Sequence, residues 1–221
     1  MKLYGSPLSP FVTRVVIGAR AMGIDLPLEM PPGGMKSAEH FSLTPTGKIP
    51  CFEDGAIKLG ESEVILEYLM DTTPGNSLRA ADPAERAHGR LLSRFHDLYV
   101  FPPLGPLFGQ MSASPRDATL IEENREKVLT GLGYIEHRLG DGPYAVGDSL
   151  GPADCTLAPT FYFIEMIFGA LSLGNAFADL PRLSAWWEWI QQQPLIKEAI
   201  DAEKEAVAEF QRRKAAEAAA E

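Results

Sequence analysis

The chain changes character once, between residues 71 and 83, and this change constrains the fold more than any single motif. Before it, short apolar runs alternate with helical periodicity. After it, only three-to-four spacing recurs. The segment itself holds two prolines, a glycine and no regular spacing, and reads as a connector. The pattern predicts a small α/β domain followed by an all-α domain. The expected boundaries are 1–73 for the first domain, 74–83 for the linker, 84–214 for the second and 215–221 for a frayed tail of alanine and charge.

In the first part, Lys2 to Tyr4 opens as a brief strand and the loop Gly5-Ser6-Pro7-Leu8-Ser9-Pro10 follows. Phe11, Val12, Val15, Val16, Ala19 and Met22 then mark a helix, with Ser9 as its N-cap, Pro10 at its first position and Gly23 at its end. Residues 24–30 read as a strand, and Pro27 puts it at a sheet edge. A short helical turn is expected over 39–43. Residues 49–53 and 56–59 flank Asp54-Gly55, a two-residue hairpin signal. A helix from about Ser62 presents Val64, Ile65, Tyr68 and Leu69. The order is β-α-β, then β-β-α.

Five helical stretches follow. Leu91, Leu92, Phe95, Leu98 and Tyr99 mark the first, which Pro102, Pro103, Gly105 and Pro106 interrupt or kink. Ile121, Val128, Leu132, Ile135 and Leu139 mark the second, ending near Gly140. Leu157, Phe161 and Ile164 mark the third. Leu183, Trp186, Trp187 and Ile190 mark the fourth, with the two tryptophans expected at core and surface. Leu195, Ala199, Val207 and Phe210 mark the last.

Composition excludes several function classes. A formal net charge of −10 over 221 residues opposes the phosphate backbone of nucleic acid. Two cysteines, Cys51 and Cys155, make no disulfide framework. The N-terminal residues lack a signal-peptide pattern, and no run nears the roughly 20 apolar residues of a membrane span. These features predict a soluble protein of a reducing compartment, with no membrane or nucleic-acid partner. The histidines (His40, His88, His96, His137) show no metal spacing, so no metal is expected. Gly47-Lys48-Ile49 lacks the remainder of a phosphate loop, and neither a dinucleotide fingerprint nor a nucleophile elbow is present.

What remains is a constellation in fixed order. A strand runs into Ser9-Pro10-Phe11-Val12 at a helix start; Lys48-Ile49-Pro50 precedes the hairpin; Gly60-Glu61-Ser62 begins the next helix. With the two-part layout, this resembles the cytosolic glutathione S-transferases over nearly the whole chain. The nearest flavours are the serine-type classes, phi, tau and related bacterial forms. Tau-type enzymes carry a similar Ser-Pro-Phe-Val run, and Lys36-Ser37 echoes a phi-type Lys-Ser run. Tyr144, Gly147, Ser149-Leu150 and Ala153-Asp154 resemble the family's approach to a core helix of the second domain. There a Ser or Thr often caps the helix and an Asp three residues on caps back. Here Gly151 holds the cap position, so half of the reciprocal pair survives beside Asp154. The resemblance implies a thioredoxin-like N-terminal domain, an all-helical C-terminal domain, glutathione as co-substrate, and a cytoplasmic homodimer.

It also implies roles. A thiol of pKa about 8.5 is only about 3% ionised at pH 7. Lowering that pKa by about two units takes roughly 2.7 kcal/mol. A hydroxyl bonded to the thiolate supplies about 1.5–3 kcal/mol, and a helix N-terminus about 0.3–1. Ser9 offers the hydroxyl, just ahead of the Phe11 and Val12 N–H groups, and is the expected catalytic residue; its alternative role is that of a plain N-cap. Ser6 and Tyr4 are rivals for the thiol. A serine where thioredoxin-like proteins often carry cysteine argues against disulfide exchange, and Cys51 and Cys155 read as buried and inert.

By the same resemblance Pro50 is a cis proline that exposes the Ile49 backbone to the cysteinyl residue of the peptide. Glu61 and Ser62 take the γ-glutamyl end, and Lys36 and Lys48 take the glycine carboxylate. Met35 stands where phi-type enzymes place a ligand histidine. Phe11, Tyr99, Pro103, Phe108, Met111, Tyr162 and Met166 are candidates for the pocket of a hydrophobic electrophile. Two alternatives share these residues: a glutathione-dependent isomerase or ether- or thioether-cleaving catabolic enzyme, and a non-catalytic ligand carrier or interaction module.

Overall fold

The computed structural model describes all residues except Pro74, Asn76, Ser77 and Glu221, and the side chains up to residue 217. Part of the expected linker therefore lies outside the described residues. The first elements are β1 (Lys2–Tyr4), α1 (Pro10–Ala21), β2 (Leu28–Glu29), α2 (Ala38–Leu43), β3 (Cys51–Asp54), β4 (Ile57–Leu59) and α3 (Ser62–Thr72). Then come α4 (Pro83–Phe95), a π turn (His96–Val100), α5 (Phe101–Gln110), α6 (Ala118–Arg138), α7 (Pro152–Leu171), α8 (Pro181–Ile190) and α9 (Pro194–Ala220). Two compact units result, one of Met1–Leu78 with Pro194–Glu221, the other of Arg79–Gln193.

In the first unit the sheet order is β2-β1-β3-β4, with β1 parallel to β2 and antiparallel to β3. This mixed sheet with α1 as the β1–β2 crossover is the thioredoxin-like plan. Leu3 pairs with Leu28 on one side and Phe52 on the other, at the centre of a core that includes Val12, Val15, Ile17, Ile65 and Leu69. Each such side chain contributes about 1.5–3 kcal/mol by leaving water.

Two boundaries differ from expectation. The strand expected over 24–30 shrinks to Leu28–Glu29 because the residues ahead of it finish α1. Gly23, at φ 72°, bonds its N–H to Arg20 O, and Ile24 N–H reaches back to Ala19 O. Those two bonds make a Schellman end, which needs a residue tolerant of positive φ. Pro27 keeps its edge role, its carbonyl accepting from Leu3 N–H at 3.0 Å. The hairpin turn falls one residue later than expected: Asp54 pairs with Ile57, so Gly55-Ala56 forms the loop.

The last helix also departs from the expected division. α9 belongs to the first unit, where it packs on α1, and it runs as helix to Ala220. Its buried positions, Ile196, Ala199, Ile200 and Glu203, form one stripe at helical spacing.

In the second unit the prolines after Tyr99 do not break the helix. Pro102 and Pro103 have no N–H to give to the carbonyls one turn back. The backbone widens instead into the π turn, where Phe101 N–H bonds His96 O. Gly131 of α6 lies against this turn; a Cβ there would sit 2.6 Å from Tyr99 O. α7 is the central helix, buried along nearly its whole length. Phe161 on it stacks on Phe177 and meets the edge of Trp186. Trp186 and Trp187 are both core residues, 4% and 3% exposed, so the expected surface placement of one is corrected. At the start of α7, Gly151 has no side chain to offer, but its N–H donates to Asp154 Oδ2 at 2.9 Å, the surviving half of the cap.

Candidate functional site

A cavity of about 100 Å³ opens in the first unit, lined by Phe11, Thr46, Lys48, Ile49, Pro50, Glu61 and Ser62. Three segments distant in sequence meet there.

The first is the run into β3. The Ile49–Pro50 peptide is cis. The β1–β3 ladder stops at the Tyr4–Cys51 pair, so the Ile49 N–H and C=O lie outside it. The adjoining loop is held by Thr44 and Thr46, whose hydroxyls meet at 3.1 Å. Lys48, exposed, brings a cation.

The second segment is the start of α3. Glu61 takes the N-cap position at φ 60°, a left-handed conformation that costs a residue with a Cβ roughly 1–2 kcal/mol. Its side chain is exposed and does not cap the helix. Ser62 is buried at the first helical position. The first helical bond, Ile65 N–H to Glu61 O, leaves the preceding amides at an end that favours an anion.

The third is the start of α1. Ser9 is its N-cap, half-buried, with extended backbone, and its hydroxyl makes no cap bond. The role of plain N-cap therefore does not account for the side chain. Val12 N–H, expected to serve an anion, donates instead to Ser9 O at 2.9 Å. Both rivals of Ser9 are engaged. The Tyr4 hydroxyl donates to Glu53 Oε2 at 3.1 Å, and burial with that bond raises its pKa. Ser6 Oγ accepts from Leu8 N–H at 3.3 Å within the loop.

Phe11, Lys48, Ile49, Pro50, Glu61 and Ser62 thus come together, while Ser9 and Lys36 do not line this cavity. Lys36 is exposed, at φ 62°. The remaining electrophile-pocket candidates belong to the second unit. There Tyr99 and Pro103 line a separate groove of about 660 Å³ with Leu98 and Tyr134. Phe108 is 47% exposed. Met111, Tyr162 and Met166 are half-buried, and none of these four lines that groove. Among the described residues no cluster of His, Cys, Asp and Glu could hold a metal ion, and no helix is long and apolar enough to cross a membrane.

The sequence did not single out Thr46 or His40. Thr46 carries no motif. His40 is 0% exposed on α2, with its ring nitrogens near Lys36 N, Lys48 O and Cys51 Sγ. Its burial is a tertiary fact that a six-residue helix cannot announce by periodicity. Cys51 is also buried; burial pushes its thiol up to about 11, which leaves it neutral and unreactive at pH 7.

Known proteins agree with this geometry. Residues 3–77 match the family model of the glutathione S-transferase N-terminal domain, and residues 80–194 that of the C-terminal domain. A glutathione S-transferase of Hyoscyamus muticus is 31% identical over 211 residues, covering 91% of this chain and 98% of the relative. Glutathione S-transferase F13 of Arabidopsis thaliana is 30% identical, with 88% and 92% covered. The crystal structure of glutathione transferase F2 from Populus trichocarpa superposes with a TM-score of 0.78 at 26% identity, over 92% of this chain and 99% of that one. A thioredoxin-like sheet carrying the cis proline and an all-helical unit, matched in both halves and over nearly the full length of these relatives, make the chain a member of the glutathione S-transferase family.

Proposed function

We propose that the protein is a glutathione transferase that binds glutathione at the cavity of the first unit and adds its sulfur to a small hydrophobic electrophile. The observation that carries this is the convergence of Lys48, the cis Ile49–Pro50 peptide, Glu61 and Ser62 on one cavity. Each end of the peptide has a matching group. Glu61 supplies negative charge for the γ-glutamyl ammonium, and Ser62 with the α3 amides suits its carboxylate. The Ile49 backbone pairs with the cysteinyl residue as an added strand would. Lys48 and Lys36 meet the glycine carboxylate.

Ser9 is the residue that acts on the sulfur. Its hydroxyl, not engaged in capping, donates to the thiolate and favours that form over the thiol. The thiolate then attacks the electrophilic carbon. A C–S bond forms, and the displaced group leaves with its bonding electron pair, as from an aryl halide. Catalysis comes from nucleophile activation and positioning. Phe11 lines the cavity of the first unit, and Tyr99, Phe108, Met111, Tyr162 and Met166 are the second unit's candidates for holding the electrophile. A cytoplasmic homodimer completes the proposal. The half-exposed apolar surface of Leu98, Tyr99 and Tyr134 supports the association, and light scattering tests it.

Replacing Ser9 tests the chemistry. In Ser9→Ala the apparent pKa of the bound thiol, read from the pH profile of aryl-halide conjugation, should rise by about one to two units. At pH 6.5 kcat should fall roughly 10- to 100-fold, with glutathione KM changing less than about threefold. An unchanged pH profile would remove Ser9 from the chemistry.

A further inference from the structure

His40 stands outside the site residues and is bonded to the backbone of two of them. Lys36 N–H donates to its Nδ1 at 2.9 Å. Its Nε2 lies 3.2 Å from Lys48 O and 3.3 Å from Cys51 Sγ. A backbone N–H can only donate, so Nδ1 is the acceptor and the ring proton belongs on Nε2, directed at Lys48 O. The Cys51 thiol donates to the same carbonyl at 3.1 Å. Lys48 O therefore receives two donors from the interior.

The ring does not serve its own helix. α2 is capped independently by Ser37, whose Oγ accepts from His40 N–H at 3.0 Å. What the ring joins is the segment ahead of α2, carrying Lys36, to the segment behind it, carrying Lys48. Lys36 sits at φ 62°, a conformation disfavoured for any residue with a Cβ, and its N–H bond to the ring helps to hold it there. A phenylalanine would fill the same space and join neither segment.

We propose that His40 is a positioning residue for the glycine end of glutathione, fixing the Lys36 backbone to that of Lys48 so that the two ammonium groups meet one carboxylate. The proposal rests on reading the cavity of the first unit as the glutathione site. His40 touches no substrate atom, so its effect falls on binding and not on the sulfur. Because the groups it aligns serve the glycine carboxylate, the effect requires that this carboxylate carry its charge.

The test compares glutathione with its glycine monoethyl ester, which keeps the thiol and loses that charge, in aryl-halide conjugation. His40→Phe should raise glutathione KM about tenfold, as the loss of one or two ordinary hydrogen bonds does, and leave kcat within about twofold. On the ester its KM should differ from wild type by less than about twofold. His40→Asn, whose Oδ1 can accept from Lys36 N–H, should recover most of the loss. Equal penalties on both thiols, or an unchanged glutathione KM, would overturn the role of His40. If His40→Phe does not fold, His40→Leu, which likewise bonds neither segment, takes its place: a KM rise confined to glutathione supports the proposal, and equal effects on the ester, or no rise, overturn it. Calorimetry of the wild type separates the two levels. No glutathione binding at millimolar concentration ends the glutathione reading itself, whereas binding that His40→Phe leaves intact ends only the role of His40.

Discussion

Asp154 in the second unit and Glu203 in the first are both 0% exposed, yet the two carboxyl groups are held in opposite ways. Asp154 Oδ1 accepts from Ala145 N–H at 2.8 Å and from Trp186 Nε1–H at 3.1 Å, and Oδ2 accepts from Gly151 N–H. Burial pushes its pKa up, to about 6, and these donors hold it from going higher. Neither oxygen of Glu203 completes a hydrogen bond; the Thr13 hydroxyl faces it, but burial dominates and lifts it to about 9. At pH 7 the first group is charged and the second neutral. Position on the helix explains the difference. Asp154 lies in the first turn of α7, where backbone donors have no helical acceptor. Glu203 lies well inside α9, where the helix has already taken every amide. Depth of burial alone therefore does not set the charge of an interior carboxyl; the supply of donors does.

Removing Asp154 is the strongest way to break this contrast. Asp154→Ala leaves three N–H groups without an acceptor, two of them buried, and should cost about 3–5 kcal/mol in urea unfolding at pH 7. Asp154→Asn keeps only one acceptor oxygen and should cost less, about 1–3 kcal/mol. A loss under about 1 kcal/mol for the alanine variant would mean that the donors find water or other partners, and the two sites would no longer differ in kind.

Glu203 gives a second, pH-dependent effect. Its folded pKa of about 9 lies above the usual 4.5, so its contribution is complete below 4.5 and is lost as pH rises toward 9. Asp154 shifts in the same direction, but its window closes near 6. Between pH 6 and 9 the slope belongs to Glu203. Stability should fall by on the order of 1 kcal/mol per pH unit in the wild type, and the fall should be absent in Glu203→Gln. Urea midpoints at pH 6, 7, 8 and 9 for both proteins measure it. A parallel slope in the variant would show that Glu203 binds no more protons folded than unfolded over this range, and that another group carries the fall.

The sequence made parts of this architecture legible and hid others for reasons that can be named. Ser9-Pro10 at a helix start, Gly23 at its end and the single change near residue 71 are local signals, and each element they predict is present. The six cavity residues held in common with expectation came from a resemblance across the chain, not from any one motif. Glu203 was partly visible: Ala199, Val207 and Phe210 set a stripe, and Glu203 falls on it. A charged residue on an apolar stripe is ordinarily assigned to solvent, so the pattern pointed one way and residue type the other. His40 had no such trace, because its partners lie on either side of a short helix and its burial depends on β3 beneath it. The hairpin shifted by one residue because Asp54 extends the ladder instead of entering the turn.

The smallest effect tests what holds α9 against α1. Near its start, Glu198 Oε1 accepts from Arg20 Nη1 at 2.9 Å, with both side chains substantially exposed. An exposed pair gains little from Coulomb attraction in water and loses side-chain entropy on forming. Five residues further on, on the same helix, Glu203 is fully buried and faces the Thr13 hydroxyl. If burial is what fixes α9, Arg20→Ala should cost no more than about 0.5 kcal/mol at low salt, and the cost should vanish near 1 M salt, where the screening length is about 3 Å. Urea unfolding at the two salt concentrations measures this. A salt-insensitive loss of about 2 kcal/mol would mean that the ion pair, and not the apolar stripe, seats the helix. Glu203 would then owe its burial to a charge contact nearby, and its neutral state would cease to be a consequence of packing alone.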